Sequence, residues 1–340
     1  MILHNIPTLG KEEELAAIKV LKSKQLSPDK EIMKFENNLC KFLKLPKGHA
    51  VVCSSGSAAL FLSLWALNAE GKKIAFPSYV CSALRHAVGL IKGREVVIDV
   101  EKNSSNTNIN LIKKSKADIA IVPHLYGIPV DISKLKNLDI IEDCCHSLGA
   151  RVGKFPTGLM GKMGIFSFYV TKLITTGGHG GAIVSKDLNL VEKIRDYINF
   201  DQRKDKNKRF NFQMTEIQAA IGNEQFKKLP FFLKKREKIF NYYKKSGINL
   251  LDVKQEDKKK VFPVRYRAVM VTNRQKKIIK FLRSKKINSI IPLENWELLG
   301  NSKSHPNSLK ITKKTISLPI YPSLKKREQD FIIKNIQKFI

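Results

Sequence analysis

Between Lys73 and Cys145 the chain alternates short, β-rich apolar runs with segments of helical pattern, and no other feature narrows the fold as much. The apolar runs are Lys73–Pro77, Glu95–Val100, Ala117–His124 and Asp139–Cys145, with a helical stretch such as Cys81–Ile91 between them. Two neighbouring strands joined by a helical crossover run in the same direction. The expectation is therefore an α/β fold in which a largely parallel sheet is sandwiched by helices. Several runs end in polar residues, at Pro77-Ser78-Tyr79, Pro123-His124-Leu125-Tyr126 and Glu142-Asp143-Cys144-Cys145-His146. Open α/β sheets bind ligands at the carboxyl ends of their strands, so these tips should line one site.

The flanking segments complete the layout. Glu12–Lys24 reads as an amphipathic helix with Leu15, Ile18 and Leu21 on one face, and Pro28–Leu43 as a second with Ile32, Phe35, Leu39 and Phe42 available for burial. Lys186–Phe200 is expected to be a helix, Asp201–Arg209 an exposed basic loop able to reach a partner subunit, and Thr215 the cap of the helix that follows. A lysine-rich helix, Phe232–Tyr243, leads away from the sheet. Beyond it, strands at Val261–Val271 and Ile287–Pro292 flank a helix at Asn273–Lys285, and Ile316–Pro322 ends near the sheet. A last helix, Lys325–Ile340, turns Phe331, Ile332, Ile336 and Phe339 inward. The division expected is a large domain over residues 1–230 and a small α+β domain over 231–340.

Composition excludes more than it selects. A chain of 340 residues with 43% hydrophobic content can bury a sizeable core. No apolar run is long enough to cross a bilayer, and Met1–Pro7 lacks the pattern of a signal peptide, so a cytoplasmic protein without membrane insertion is expected. The five cysteines form no metal-site spacing and read as reduced, with no metal implied. The net charge of +32 comes mostly from lysines spread over several segments without interleaved aromatics, which argues against a nucleic-acid partner and suits an anionic small substrate such as a nucleotide diphosphate.

Three motifs carry chemistry. Lys172 lies among Ile165, Phe166, Phe168, Val170, Leu173 and Ile174, ahead of a glycine cluster at Gly177–Gly181. Burial there should lower its pKa and make it a nucleophile or Schiff-base amine; taken alone, the stretch also fits a surface strand whose lysine reaches water. Ser55-Gly56-Ser57-Ala58 separates an apolar strand from an apolar helix and fits either a phosphate cradle or an ordinary serine cap. Asp143 ends an apolar strand and suits a protonated ring nitrogen as well as a helix cap or ion pair; His146 could face the same pocket.

Together these are the parts that hold pyridoxal phosphate: an anion site, a counter-charge for a pyridinium nitrogen and an amine. The sequence resembles the DegT/DnrJ/StrS group of fold-type I sugar aminotransferases nearly end to end. The resemblance rests on Phe35-Glu36, Ser55–Leu60, Pro77–Tyr79, His124–Gly127, Glu142-Asp143, Phe166–Tyr169, Thr171-Lys172, Thr175–Gly177, Met214 with Glu216–Gly222, and Ser317–Pro319. It implies a seven-stranded, mostly parallel sheet with a small C-terminal domain, and a homodimer with shared sites. It also implies transfer of an amino group, usually from glutamate, to a nucleotide-linked keto sugar. By position, Lys172 would carry the cofactor and shuttle the proton, Asp143 would pair with the pyridine nitrogen, and Gly56, Ser57, Ala58 and Ser167 would hold the phosphate. Asn211 would reach it from the other subunit. This chain departs from the family in three places. Cys81 stands where an aromatic ring usually stacks on the cofactor, His146 replaces a common glutamine, and Gly177–Gly181 is one residue longer with His179 in place of an acid. Two other readings share the fold: a dehydratase-like enzyme, against which the presence of Lys172 argues, and a non-catalytic regulator.

Overall fold

A computed structural model describes residues 1–301 and 303–340. The chain opens with helices α1 (Lys11–Ser23) and α2 (Lys30–Leu43) and then enters the sheet region through β1 (Ala50–Cys53) and α3 (Gly56–Ala66). There follow β2 (Lys73–Pro77), α4 (Ala83–Leu90), β3 (Arg94–Ile98), α5 (Ile109–Lys114), β4 (Ile119–Pro123) and β5 (Asp139–Asp143). A short hairpin of β6 (Arg151–Val152) and β7 (Phe155–Pro156) precedes β8 (Met163–Ser167), β9 (Gly181–Val184) and α6 (Leu188–Ile198).

Seven strands form one sheet in the order β1-β9-β8-β5-β4-β2-β3. β9 runs antiparallel to both of its neighbours, and the remaining pairs are parallel. The strands β1, β8, β5, β4 and β2 therefore all end on one edge, where β9 begins. This is the edge expected to hold a ligand. Apart from the edge strand β3, the strands are buried on both faces because helices cover both, so they read as continuous apolar runs.

Two acids, Glu36 and Glu216, are structural. Glu36 in α2 accepts from the amide of Val52 at 3.0 Å and from Arg195 at 2.8 Å, tying α2 and α6 to β1. Glu216 accepts from the amides of Asp29, Glu31 and Ile32 at 2.7–2.9 Å, which caps the start of α2.

Five expectations are corrected. The helix expected at Phe232–Tyr243 is the second half of α7 (Glu216–Lys245), which continues through Pro230 although that residue cannot bond back to the carbonyl of Phe226. Val261–Val271 is two strands: β10 (Val261–Phe262) pairs with β6, whereas β11 (Ala268–Val271) pairs with β12 (Thr315–Leu318). Ile287–Pro292 forms isolated bridges, Ile2 with Ile287 and Ile290 with Ser317, instead of a strand, and it follows α8 (Gln275–Ser284). In α1, Leu15, Ile18 and Leu21 face outward, and the buried residues are Glu13 and Val20. Phe331 likewise faces outward on α10 (Lys326–Ile336), which follows α9 (Pro306–Thr312), while Ile332 and Ile336 are buried as expected.

A separate apolar cluster joins Ile239, Phe240 and Tyr243 at the end of α7 to Ile278, Leu282, Ile316, Leu318, Ile332 and Ile336. Val264 and Tyr266, although beyond residue 231, pack into the cluster beneath the large sheet. No helix among the described residues is long and apolar enough to cross a membrane.

Candidate active site

The carboxyl edge of the sheet opens into a cavity of about 480 Å³. Of the residues expected from the sequence, Gly56, Ser57, Cys81, Asp143, His146, Ser167 and Lys172 line it. Ala58 and Asn211 do not. The Ala58 amide donates to the side chain of Ser55, the N-cap of α3, at 3.1 Å. Asn211 is exposed, and its Oδ1 accepts from the Gln213 amide at 3.0 Å.

The start of α3 presents backbone amides to the cavity. With the Ala58 amide taken by the cap, those of Gly56 and Ser57 are the helix-start donors on the cavity wall. Ser167, at the end of β8, lies close enough that a Cβ on Gly56 would stand 2.8 Å from the Cβ of Ser167 and 3.4 Å from the Cys145 sulfur. Gly181 is pressed still closer: a Cβ there would meet the Ser55 carbonyl oxygen at 2.2 Å. Small residues at these positions follow from three backbones converging at one point.

Lys172 follows β8 in a tight turn, its amide bonded to the Tyr169 carbonyl at 2.8 Å, while Leu173 and Ile174 bury beneath it. The expected fall in its pKa is not found. Burial does oppose the ammonium, but Tyr266, Cys145, Asp143 and Cys81 surround it, and their attraction outweighs burial and raises its pKa. Asp143 ends β5, is buried, and accepts from the Cys145 amide at 3.0 Å through Oδ1.

His146 is stacked on Tyr266 with ring centres 3.9 Å apart at 14°. Its Nδ1 accepts from the Tyr126 amide at 3.4 Å, which leaves the proton on Nε2. Burial, with Lys172 and Arg267 nearby, pushes its pKa well below the usual range, so the ring is neutral. Tyr126 makes this contact from left-handed backbone, φ 60° and ψ 12°, a conformation that costs a non-glycine residue about 1–3 kcal/mol. Its hydroxyl bonds that of buried Tyr79 at 2.7 Å. Cys81 sits on the wall, its thiol pKa raised by desolvation and by Asp143.

The sequence reading missed the far wall, formed by Tyr266, Arg267, Pro292, Leu293 and Glu297. Arg267 donates through Nη1 to His4 Nε2 and to Ser317 Oγ, both at 3.2 Å. His4 is held neutral, its pKa lowered to about 3 by burial and by Arg267 and Arg236. A basic pair at Arg265 and Arg267 around one tyrosine was the available signal, but an alternating strand pattern masked it.

His124, Glu142 and Cys144 lie together behind the cavity. Glu142 accepts from His124 at 2.9 Å and from the amides of Gly158, Met160 and Gly161 at 2.7–3.0 Å. His124 Nδ1 accepts from the Val130 amide at 3.0 Å. These donors are fully engaged, and the group locks the loop between β7 and β8.

Comparison with known proteins matches this architecture. The family model described as DegT/DnrJ/EryC1/StrS aminotransferase family covers residues 7–337. The chain is 27% identical to GDP-perosamine synthase of Escherichia coli O157:H7, over 91% of this chain and 90% of that one. It is 32% identical to UDP-4-amino-4,6-dideoxy-N-acetyl-beta-L-altrosamine transaminase of Helicobacter pylori, over 68% and 66%. A Streptococcus pneumoniae protein solved in its PLP form superposes with a TM-score of 0.90 at 21% identity, covering 99% of this chain and 98% of that one, which establishes the shared fold. With the match spanning nearly the whole chain, this protein is a member of the DegT/DnrJ/EryC1/StrS aminotransferase family.

Proposed function

We propose that the chain transfers an amino group from an amino acid, glutamate being the expected donor, to a nucleotide-linked keto sugar, with pyridoxal phosphate as cofactor. The observation that carries this reading is one cavity lined by a lysine amine, a buried carboxylate and the free amides of a helix start. Relatives named as sugar-nucleotide transaminases support the class of acceptor.

The residues fit the cofactor. Gly56 leaves open a cradle that a Cβ would fill, and the donor set offers amides for a phosphate and an acid for a ring nitrogen. Bound there, pyridoxal phosphate supplies an electron-accepting ring that carries the amino group between donor and acceptor. The amides of Gly56 and Ser57 and the hydroxyl of Ser167 would hold the phosphate group, with Ala58 acting through the helix start. Asp143 would keep a proton on the ring nitrogen. Lys172 would hold the cofactor through Nζ and would be the residue placed to move a proton at the substrate carbon. His146 would offer Nε2–H to the cofactor, and Cys81, on the same cavity wall as Tyr79 and Tyr126, would close one side of it.

The exposed Asn211 belongs, in this reading, to the site of a second subunit of a homodimer, reached by the loop at 201–209. That loop is stiffened by Arg209, which bonds Asp196 at 2.8 Å and Asp205 at 2.5 Å. A large domain followed by a small one, parting within α7, and a cytoplasmic location complete the proposal.

The test is to incubate the purified protein with pyridoxal phosphate, glutamate and a panel of nucleotide-linked 3-keto and 4-keto sugars. Glutamate-dependent appearance of an amino sugar is expected. A protein that stays colourless with added cofactor and converts none of the panel refutes the assignment.

A further inference from the structure

Residues 2–8 precede α1, yet they reach the turn that carries Lys172 as well as the far wall of the cavity. Ile2 is fixed beside the end of α8: its amide donates to the Lys286 carbonyl and its carbonyl accepts from the Asn288 amide, both at 2.8 Å. His4 Nε2 meets Ser317 Oγ at 2.8 Å and Arg267 Nη1 at 3.2 Å. The Thr8 carbonyl accepts from Gln225 Nε2 of α7 at 2.9 Å. Asn5 is thus held in mid-span, with anchors on either side of it.

Asn5 Nδ2 donates to the Thr171 carbonyl at 3.1 Å. That carbonyl belongs to the peptide bond whose nitrogen is that of Lys172, and the Lys172 amide donates to the Tyr169 carbonyl at 2.8 Å. One planar peptide unit is therefore held at both ends, by the turn itself and by a side chain 166 positions earlier. Among the described residues no other donor meets the Thr171 carbonyl. Pro7 and Thr8 line a small cavity together with Lys172 and Leu173, so the segment continues alongside the lysine. Stability alone would not select asparagine here. Its Oδ1 is buried and meets no donor among the described residues, and a buried polar atom without a partner is destabilising. Leucine shares the branched outline and would carry no such penalty, losing only the bond to Thr171. A residue that breaks a local rule in this way points to function.

We propose that Asn5 is a positioning residue for Lys172: by holding the Thr171 carbonyl it sets the direction in which the lysine side chain enters the cavity. The proposal rests on the function given above, in which that amine must meet both cofactor and substrate. Displacing a reacting group by about 1 Å can cost about a hundredfold in rate. The bond from Asn5 is the one constraint on this peptide that the lysine's own turn does not supply. Asn5 does not line the cavity, so its loss should slow the chemistry and leave the binding of the donor in place.

The experiment compares Asn5→Leu and Asn5→Ala with Thr8→Val, a control that deletes another buried, unpartnered polar atom from the same segment. Alanine needs no extra room and gives a reading should the leucine variant not fold. Urea midpoints report the fold. The rate at which added pyridoxal phosphate becomes fixed by borohydride on the Lys172 peptide of cofactor-free protein reports the placement of the amine without any turnover. Amine transfer from glutamate then gives kcat and KM. Asn5→Leu is expected to keep the parental urea midpoint or exceed it. Its attachment rate and kcat should both fall by about ten- to a hundredfold, with KM for glutamate within about twofold of the parent's. Thr8→Val should match the parent in both rates. Parental attachment and kcat in the Asn5 variants, a rise in KM in place of the fall in kcat, or the same slowing in Thr8→Val overturns the proposal. Slowed attachment in the variants of a parent that aminates no sugar retains the role of Asn5 and refutes the function. Amine transfer that both Asn5 variants perform at the parental rate does the reverse, and a parent that never attaches the cofactor at Lys172 refutes both.

Discussion

Gly181→Ala tests how the anion cradle is made. Gly181 begins β9 between Cys53 of β1 and Ser167 of β8, so its backbone is held on both sides by the sheet. An added Cβ would lie 2.2 Å from the Ser55 carbonyl oxygen, 2.4 Å from the Ser55 carbonyl carbon and 2.8 Å from the Gly56 nitrogen. All three atoms are backbone, so no side-chain rotation relieves the overlap. Compared with ordinary contact at 3.4 Å, β9 and the start of α3 must part by about 1.2 Å. Overpacking of this kind costs about 1–3 kcal/mol, or roughly a 5- to 150-fold fall in the ratio of folded to unfolded protein. The same displacement moves the Gly56 amide away from an anion shared with Ser167. Losing one hydrogen bond to a charged group, worth about 1.5 kcal/mol, predicts about tenfold weaker binding. Urea denaturation at pH 7 measures the first effect, and pyridoxal phosphate titrated into cofactor-free protein the second. Gly89→Ala is the control, since a Cβ there meets nothing within 4 Å and lies in a helix, where alanine is favoured by about 0.5–1 kcal/mol. A Gly181→Ala protein with parental urea midpoint and parental affinity would refute the claim that close approach of these backbones shapes the cradle.

Four further outcomes are expected. Lys172→Ala should abolish amine transfer while circular dichroism stays native, and borohydride should then leave no cofactor mass on the peptide that carried the lysine. Glu142→Gln should lower stability by about 2–4 kcal/mol, because a carboxylate accepting three amides and a histidine is replaced by a group with only one acceptor oxygen; urea midpoints measure this. His4 has a folded pKa of about 3 against 6.5 unfolded, so below pH 6.5 the unfolded chain binds the extra proton and stability falls. Its contribution is full above pH 6.5 and is lost toward pH 3 at roughly 1.4 kcal/mol per unit, a slope that His4→Gln should flatten in urea midpoints taken between pH 7 and 5. Asn211→Ala should weaken cofactor binding without disturbing the fold; if mixtures with Lys172→Ala protein recover no activity above the sum of the parts, the shared-site reading of the dimer fails.

The sheet was legible because each parallel strand, covered by helices on both faces, leaves an unbroken apolar run. The polar tips Asp143, His124 and Tyr79 could be placed on one edge because strand direction follows from helical crossovers. Other elements were misread for physical reasons. Val261–Val271 alternates like one strand, yet Pro263 lacks an amide donor and the two halves pair with different partners. In α1 the apolar stripe at Leu15, Ile18 and Leu21 predicted the wrong face. The helix is held against α7 by Glu13 instead, which bonds Gln225 at 2.8 Å and Lys228 at 2.7 Å. A buried carboxylate with two partners on a distant helix leaves no periodic trace.

Lys172 shows where local reading stops. Its apolar neighbours in sequence foretold burial, and burial alone would lower its pKa. The opposite shift comes from Tyr266, nearly a hundred residues away, together with Asp143 and two cysteines. Hydrophobic pattern and helix-start chemistry act over a few residues, so the amino-acid order alone determined the layered fold and the turn of small residues at the start of α3. Charge acts through space, so the protonation of the lysine, the tautomer of His146 and the identity of the far wall were decided only when α7, the Gly127 turn and the N-terminal segment came together around them.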